Sequence, residues 1–253
     1  MFKRLGRVRQ ERFSTGGQEL DEILGGGMVG GDILLLAVNE GVNYHLGIHR
    51  VFIAEGLERN EPTIHSSMDA STLSVPAYVK RPSSTTAPVV NELIAWRYGR
   101  MSGTSSTARL GGAERSGCFD LRQTHPKSDQ VIWAKDLASI ITSIKPGSRV
   151  SILSMFSPLW GSTNIQTELF QLRAAIRTQG AIALVSIPIN LVDHLNYGFF
   201  DQILTLEPKP SKSRIRCDGL IEPRKAPRGC GEKYAIKCSS TGVRIEKAIL
   251  PPE

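Results

Sequence analysis

The chain has 253 residues, of which 40% are hydrophobic and 22% charged, ordinary globular values that argue against bulk disorder. Its formal net charge of +7 favours a polyanionic partner without demanding one. No apolar run long enough to span a bilayer is present, so no membrane segment is expected.

The first twelve residues carry Lys3, Arg4, Arg7, Arg9 and Arg12 against Glu11, and we read residues 1–13 as a basic arm. The Met1-Phe2-Lys3-Arg4 start lacks the apolar run of a secretory signal. From residue 14 to 253 the pattern suits one large α/β domain. Leu20, Ile23 and Leu24 sit at helical spacing, with Ser14 or Thr15 as the expected cap and Gly25-Gly26-Gly27 as the stop. Ile33 to Val38 is a continuous apolar run, the mark of a strand buried on both faces. Tyr44 to Glu58 reads as a well-buried helix, and Pro62 to Ser66 as a second strand.

Residues 70–88 are rich in Ser, Thr and Pro and read as a loop. An apolar patch follows at Leu93-Ile94-Ala95-Trp96. Residues 99–117 offer little to bury, and a disordered insertion is expected there. Asp136 then caps a helix bearing Leu137, Ile140, Ile141 and Ile144, stopped by Pro146-Gly147. Val150 to Leu153 reads as a strand. Asn164 caps a helix with Ile165, Leu169, Leu172 and Ile176 in one stripe, closed by Gly180. Ala181 to Ile187 is another buried strand. Alternating strands and helices predict a mostly parallel sheet with helices on both faces. After Pro208 the texture becomes β-rich: Gly219-Leu220-Ile221 is a short strand, and the alternation of Tyr234, Ile236, Cys238, Val243 and Ile245 predicts a hairpin.

Gly25, Gly27 and Gly30 fit G-x-G-x-x-G, but the motif follows a helix and precedes a strand, so the dinucleotide reading fails. A phosphate loop belongs instead after the Ile33–Val38 strand. It needs glycines, a Lys for the phosphates and a hydroxyl for Mg²⁺. The turn reads Asn39-Glu40-Gly41-Val42-Asn43-Tyr44. It has one glycine and no lysine, and Glu40 puts negative charge where phosphate would sit. His45 next to it reads as an ordinary surface histidine. The strand from Arg149 ends at Ser154-Met155, not at the Asp that would hold Mg²⁺ through water. ATP hydrolysis by the familiar route is therefore not expected. The cysteines Cys118, Cys217, Cys230 and Cys238 form no C-x-x-C pair and have no His at ligand spacing, so we expect no metal site and free thiols inside the cell.

The opening Ser14-Thr15-Gly16, Leu20-Asp21 and Leu24-Gly25-Gly26-Gly27 looks like the start of RecA-like domains of the circadian-clock and recombinase kind. Four further segments resemble the fourth subunit of the Elongator complex. They are Ile94-Ala95-Trp96-Arg97-Tyr98 paired with Cys118-Phe119-Asp120-Leu121, and Ser157-Pro158-Leu159-Trp160-Gly161. The third runs from Asp218-Gly219-Leu220-Ile221 through Lys225-Ala226-Pro227-Arg228. The fourth is the end from Val243 to Leu250-Pro251-Pro252-Glu253. The resemblance implies a RecA-like α/β subunit of a heterohexameric ring with the fifth and sixth Elongator subunits. In that family the ring binds tRNA and assists wobble-uridine modification, whereas the radical and acetyl-transfer chemistry lies in the catalytic Elongator core. The resemblance also implies ATP at ring interfaces, and a cytoplasmic protein with the nucleus as a second location.

In a RecA-type ring of the kind the resemblance implies, the loops after the central strands line the pore, and by position these are residues 154–163 and 188–201. Trp160 in the first either stacks on a base or packs under its loop or at a subunit boundary. The second holds His194 and Tyr197 but no cation. Lys209, Lys212, Arg214, Arg216, Arg224, Lys225 and Arg228 place seven positive charges within twenty residues. They form either a phosphate-contacting patch or a solvated linker, and Lys225 or Arg228 can alternatively reach a neighbour's nucleotide. Arg173 and Arg177 lie off the apolar stripe of their helix and read as solvent or interface residues. Two other readings stay open: a RecA-superfamily NTPase with an unconventional phosphate loop, and a recombination-type DNA-binding paralogue.

Overall fold

The computed structural model describes residues 12–67, 74–80, 117–161, 164–192, 195–209, 217–239 and 242–248. The chain divides into two compact units, residues 1–78 with 119–253, and residues 79–118. The second unit contains the expected apolar patch at Leu93–Trp96 and the whole of the expected insertion at 99–117, and of these all but Gly117 lie outside the described residues.

The first unit is centred on a nine-stranded sheet. The strands are β3 (Ile33–Val38), β4 (Thr63–Ser66), β7 (Ile132–Ala134), β8 (Arg149–Ile152), β9 (Ile182–Pro188), β10 (Gln202–Pro208), β11 (Gly219–Lys225), β12 (Tyr234–Ser239) and β13 (Gly242–Lys247). Their order is β13-β12-β11-β10-β3-β9-β8-β4-β7. From β10 to β7 every pairing is parallel, and from β10 to β13 every pairing is antiparallel. β3, β8 and most of β9 are buried along their length, and in β3 the unbroken apolar run is the mark of a strand covered on both faces.

Two helices lie along the chain between β3 and β4 and between β8 and β9, where parallel strands of one sheet need crossovers. α2 (His45–Glu58) buries Ile48, Phe52 and Leu57. α4 (Ile165–Thr178) presents Leu169, Leu172 and Ile176 to the core. Before it comes α3 (Leu137–Ser143), with Leu137 and Ile140 buried. Asp136 accepts from the Ser139 amide while the Ser139 hydroxyl takes the Asp136 amide, so the expected cap is a full capping box. Asn164 accepts from the Thr167 amide at 3.1 Å. Gly147 (φ 70°) and Gly180 (φ 58°) supply the left-handed residues that end these stretches. Apolar side chains pack on both sides of the sheet: α3 and α4 cover one core cluster, α1 (Gln18–Ile23) and α2 the other.

Three expectations need correction. Neither Ser14 nor Thr15 caps α1: its N-cap is Gly17, without a side-chain bond. Both hydroxyls instead donate to Asp21, at 2.5 and 2.6 Å, and the Thr15 amide adds a third bond at 2.7 Å. Burial pushes the Asp21 carboxyl up, and these donors pull it down. The Ser-Thr-Gly…Leu-Asp opening is thus a closed turn that seats the chain on α2, because a Cβ on Gly16 would stand 2.8 Å from the Val51 side chain. The Ser/Thr/Pro-rich stretch 70–88 is not all loop, since Pro76–Lys80 forms β5, which shares a two-stranded sheet with β6 (Gly117–Thr124). Gly117 accordingly lies in a strand. Arg12 and Phe13, placed in the basic arm from sequence, form β1 (Arg12–Phe13), which pairs with β2 (Met28–Val29).

Candidate functional site

In a parallel α/β sheet, ligands are taken at the carboxyl ends of the strands, where the loops diverge. The register brings Val38, Pro188 and Leu206 level there. Residues 39–44 leave this edge from β3. Asn39 binds Leu206 O through its backbone amide (3.2 Å) and its side-chain amide (3.0 Å). The amides of Val42, Leu46 and Gly47 donate to Asn39 O, Asn43 O and Tyr44 O. These are donors that a phosphate loop would aim at its ligand, and here carbonyls of the same turn take them. Glu40, Gly41 and Asn43 are exposed, whereas Val42, Tyr44 and His45 are buried.

Tyr44 is only 4% exposed. Its hydroxyl lies 2.6 Å from Leu220 O and 3.0 Å from Glu207 O, tying the loop to β10 and β11. Burial raises this phenol well above its ordinary range. The ring lies so close over Gly219 that a Cβ there would collide with it and come within 2.6 Å of Glu207 O. That contact accounts for the glycine of the Asp218-Gly219-Leu220 segment. The Cys238 thiol, pushed up to about 12 by burial and by Asp218, points at Tyr44 O from 3.6 Å. A Cβ on Gly47 would stand 3.1 Å from that sulfur. The β12–β13 hairpin therefore covers the first turn of α2. His45 is not the surface histidine expected; it is enclosed there, and burial lowers its pKa to about 4.

Deeper along α2 is a feature the sequence did not announce. The Ser151 hydroxyl lies 2.8 Å from His49 Nδ1 and 3.0 Å from His65 Nδ1, all three wholly buried. One imidazole accepts the serine proton and the other donates to its oxygen. Burial holds His49 far below its ordinary pKa and His65 at about 4, so both are neutral at pH 7. Trp133 stands edge-on to His65, 5.1 Å between ring centres. Among the described residues no group of three or more metal-ligating side chains is assembled.

At the end of β8, Ser154 and Phe156 adopt left-handed backbone (φ 51° and 63°), uncommon for such residues. The Ser154 and Met155 amides bind Ser186 Oγ and Ser186 O at 2.9 and 2.8 Å. Trp160 follows in a 3₁₀ turn (Pro158–Trp160) and is half-buried against the core, its Nε1 enclosed. Leu159 beside it is the side chain in solvent, 76% exposed.

In the second loop Tyr197 is exposed and His194 lies outside the described residues. Arg173 and Arg177 are not free surface cations. Both reach Asp201 Oδ1, at 3.0 and 3.1 Å, and Arg173 also donates to Gly198 O at 2.6 Å. Asp201 Oδ2 accepts the Ile33 amide. This clasp and the exposed Phe170 line a shallow cavity of about 450 Å³.

The basic run is divided by the sheet. Lys209 follows β10 at the carboxyl edge, whereas Arg224, Lys225 and Arg228 lie at and beyond the far end of β11. The seven-residue length of that strand separates them by roughly 20 Å at about 3.4 Å per residue. Arg224 is 3.3 Å from Glu222, and Lys225 Nζ donates to Phe200 O at 2.6 Å. Arg228 is exposed, its backbone amide held by Ile23 O. Lys212, Arg214 and Arg216 lie outside the described residues.

Comparison with known proteins places this geometry. Residues 9–130 match the family described as PAXNEB protein. That is the family of the fourth Elongator subunit. The chain matches no curated protein sequence. Among solved structures it is similar to a KaiC-like protein from the hyperthermophilic archaeon Pyrococcus horikoshii OT3, with a TM-score of 0.57 at 15% identity. The similarity spans 93% of this chain and 99% of the archaeal one. The fold is therefore RecA-like of the KaiC kind, and the PAXNEB match extends from the N-terminal strand through Gln130, just before β7. Among the described residues no helix is long and apolar enough to cross a membrane.

Proposed function

We propose that this chain is a non-catalytic subunit of a RecA-like heterohexameric Elongator ring, assembled with the fifth and sixth subunits. In this reading the ring binds tRNA and presents it to the catalytic core for wobble-uridine modification. The observation that carries the proposal is the PAXNEB match over residues 9–130, and the RecA-like fold supports it. The loop at Asn39–Tyr44 supports the non-catalytic part. It has no lysine, its Asn39 and Val42 amides bind Leu206 O and Asn39 O, and Tyr44, Cys238 and the β12–β13 hairpin fill the space over the start of α2. ATP then belongs to ring interfaces rather than to this chain alone. This reading implies a cytoplasmic protein, with the nucleus as a second location.

The test is a tRNA titration of the co-purified assembly against salt. Counterion release makes log K fall linearly with log salt, with a slope set by the number of phosphates neutralised. A steep negative slope with submicromolar binding at low salt supports the proposal. An assembly that ignores tRNA at low salt refutes it, and ATP turnover by this chain alone would put an NTPase in its place.

A further inference from the structure

β12 and β13 pair in a register that sets Lys237 directly opposite Arg244. Ile236 and Ile245 face the core, so Lys237 and Arg244 point the other way, and both are exposed. Like charges placed opposite one another across an antiparallel pair destabilise it. The rest of this surface avoids that arrangement: Lys233 pairs with Glu207 at 2.8 Å, Lys247 with Glu232 at 2.6 Å and Arg224 with Glu222 at 3.3 Å. Among the described residues neither Lys237 nor Arg244 has such a carboxylate.

The register extends the site. Pro208, Gly219, Ile236 and Ile245 lie level across β10 to β13. Lys237 and Arg244 come one residue further toward the carboxyl edge, and the exposed Lys209 follows Pro208 at the same edge. Two carboxylates are near in the chain. Asp218 is engaged by the Cys238 amide at 2.6 Å, and Glu246 lies two pairs back, opposite Ala235. We propose that Lys237 and Arg244, with Lys209, form a seat for the phosphate backbone of RNA. The proposal rests on the tRNA reading above and names the part of this chain that makes the contact. A passing phosphate accepts from both side chains at once and removes their mutual repulsion. The opposed pair stays in the fold because its partner is on another molecule. Two separate cations on a rigid hairpin suit a polyphosphate track rather than a single buried anion.

The experiment compares tRNA binding by assemblies carrying the wild-type chain, K237Q/R244Q, and the charge-matched control K233Q/K247Q, each titrated against salt. Each lost phosphate contact lowers the salt slope by about 1. K237Q/R244Q should therefore lose about 2 in slope and bind roughly tenfold or more weakly at low salt. The control, which removes cations already paired with Glu207 and Glu232, should stay within about twofold. K237Q and R244Q alone should each lower the slope by about 1. K237Q/R244Q should melt no lower than wild type, since the substitution removes repulsion. Wild-type binding that both double variants retain, or lose equally, overturns the inference and leaves the tRNA reading standing. No binding by the wild-type assembly overturns both. Competition by polyglutamate as strong as by tRNA, charge for charge, would assign the seat to an acidic protein and overturn the RNA assignment.

Discussion

Replacing Arg149 by Met tests how the N-terminal turn is held to the sheet. Arg149 sits on β8, 0% exposed. Its Nε and Nη2 both lie 2.7 Å from Glu61 Oε2, and its Nη1 donates to Ser14 O at 2.7 Å. The guanidinium covers the Phe52 ring from 4.5 Å. Gly56 makes room for it, since a Cβ there would stand 2.8 Å from Arg149 Cδ. Methionine keeps the stem volume but strands the Glu61 carboxylate, 14% exposed, and leaves Ser14 O without its donor. Removing one member of a buried pair costs about 3–5 kcal/mol, whereas replacing both by apolar groups is close to neutral. Urea unfolding followed by circular dichroism should show R149M less stable by about 3 kcal/mol or more at unchanged m. R149M/E61L should then recover at least about half of that loss. An R149M loss below about 1 kcal/mol, or strictly additive single substitutions, would refute the claim that this pair anchors the turn.

Other outcomes are expected of the same structure. His45 and His65 titrate near 4 in the fold and His49 lower still, against about 6.5 when unfolded. The unfolded chain therefore binds more protons between those values. Stability is fully present above about pH 6.5 and falls toward pH 4, by about 3 kcal/mol from His65 alone; a urea midpoint that is flat between pH 7 and pH 5 would contradict this. Gly219→Ala should cost about 2 kcal/mol or more by driving Tyr44 from its seat, and only the part due to the ring should vanish in a Tyr44→Ala background, because the Cβ still meets Glu207 O at 2.6 Å; an equal cost in both backgrounds would show that the ring is not the obstacle. Millimolar MgATP should leave the melting temperature of the isolated chain unchanged, because a ligand stabilises only the state that binds it; a saturable rise would show a nucleotide site in this chain.

The framework was legible because burial on both faces forces unbroken apolar runs. Ile33–Val38 and Ala181–Ile187 announced β3 and β9, and Asp136 and Asn164 announced the starts of α3 and α4. Strand β10 was hidden because Gln202 and Thr205 interrupt its apolar residues and it lies where loop chemistry ends. Short strands such as β5 and β7 carry too few residues to show a period. The site was harder to read. A buried arginine and three enclosed histidines look like surface residues in a sequence, since only their partners in space explain them. The basic run misleads in the opposite way: its members are neighbours in sequence, but β11 separates them by its length. The Lys237–Arg244 opposition depends on register, which only the hairpin pairing reveals.

Membership of a ring decides the tRNA reading and the phosphate seat alike. The direct measurement is the native mass of the chain co-expressed with the fifth and sixth Elongator subunits of its own source. A hexamer-sized species containing all three, with tRNA bound at low salt and released as salt rises, is the predicted result. A chain that remains alone beside both subunits would contradict it.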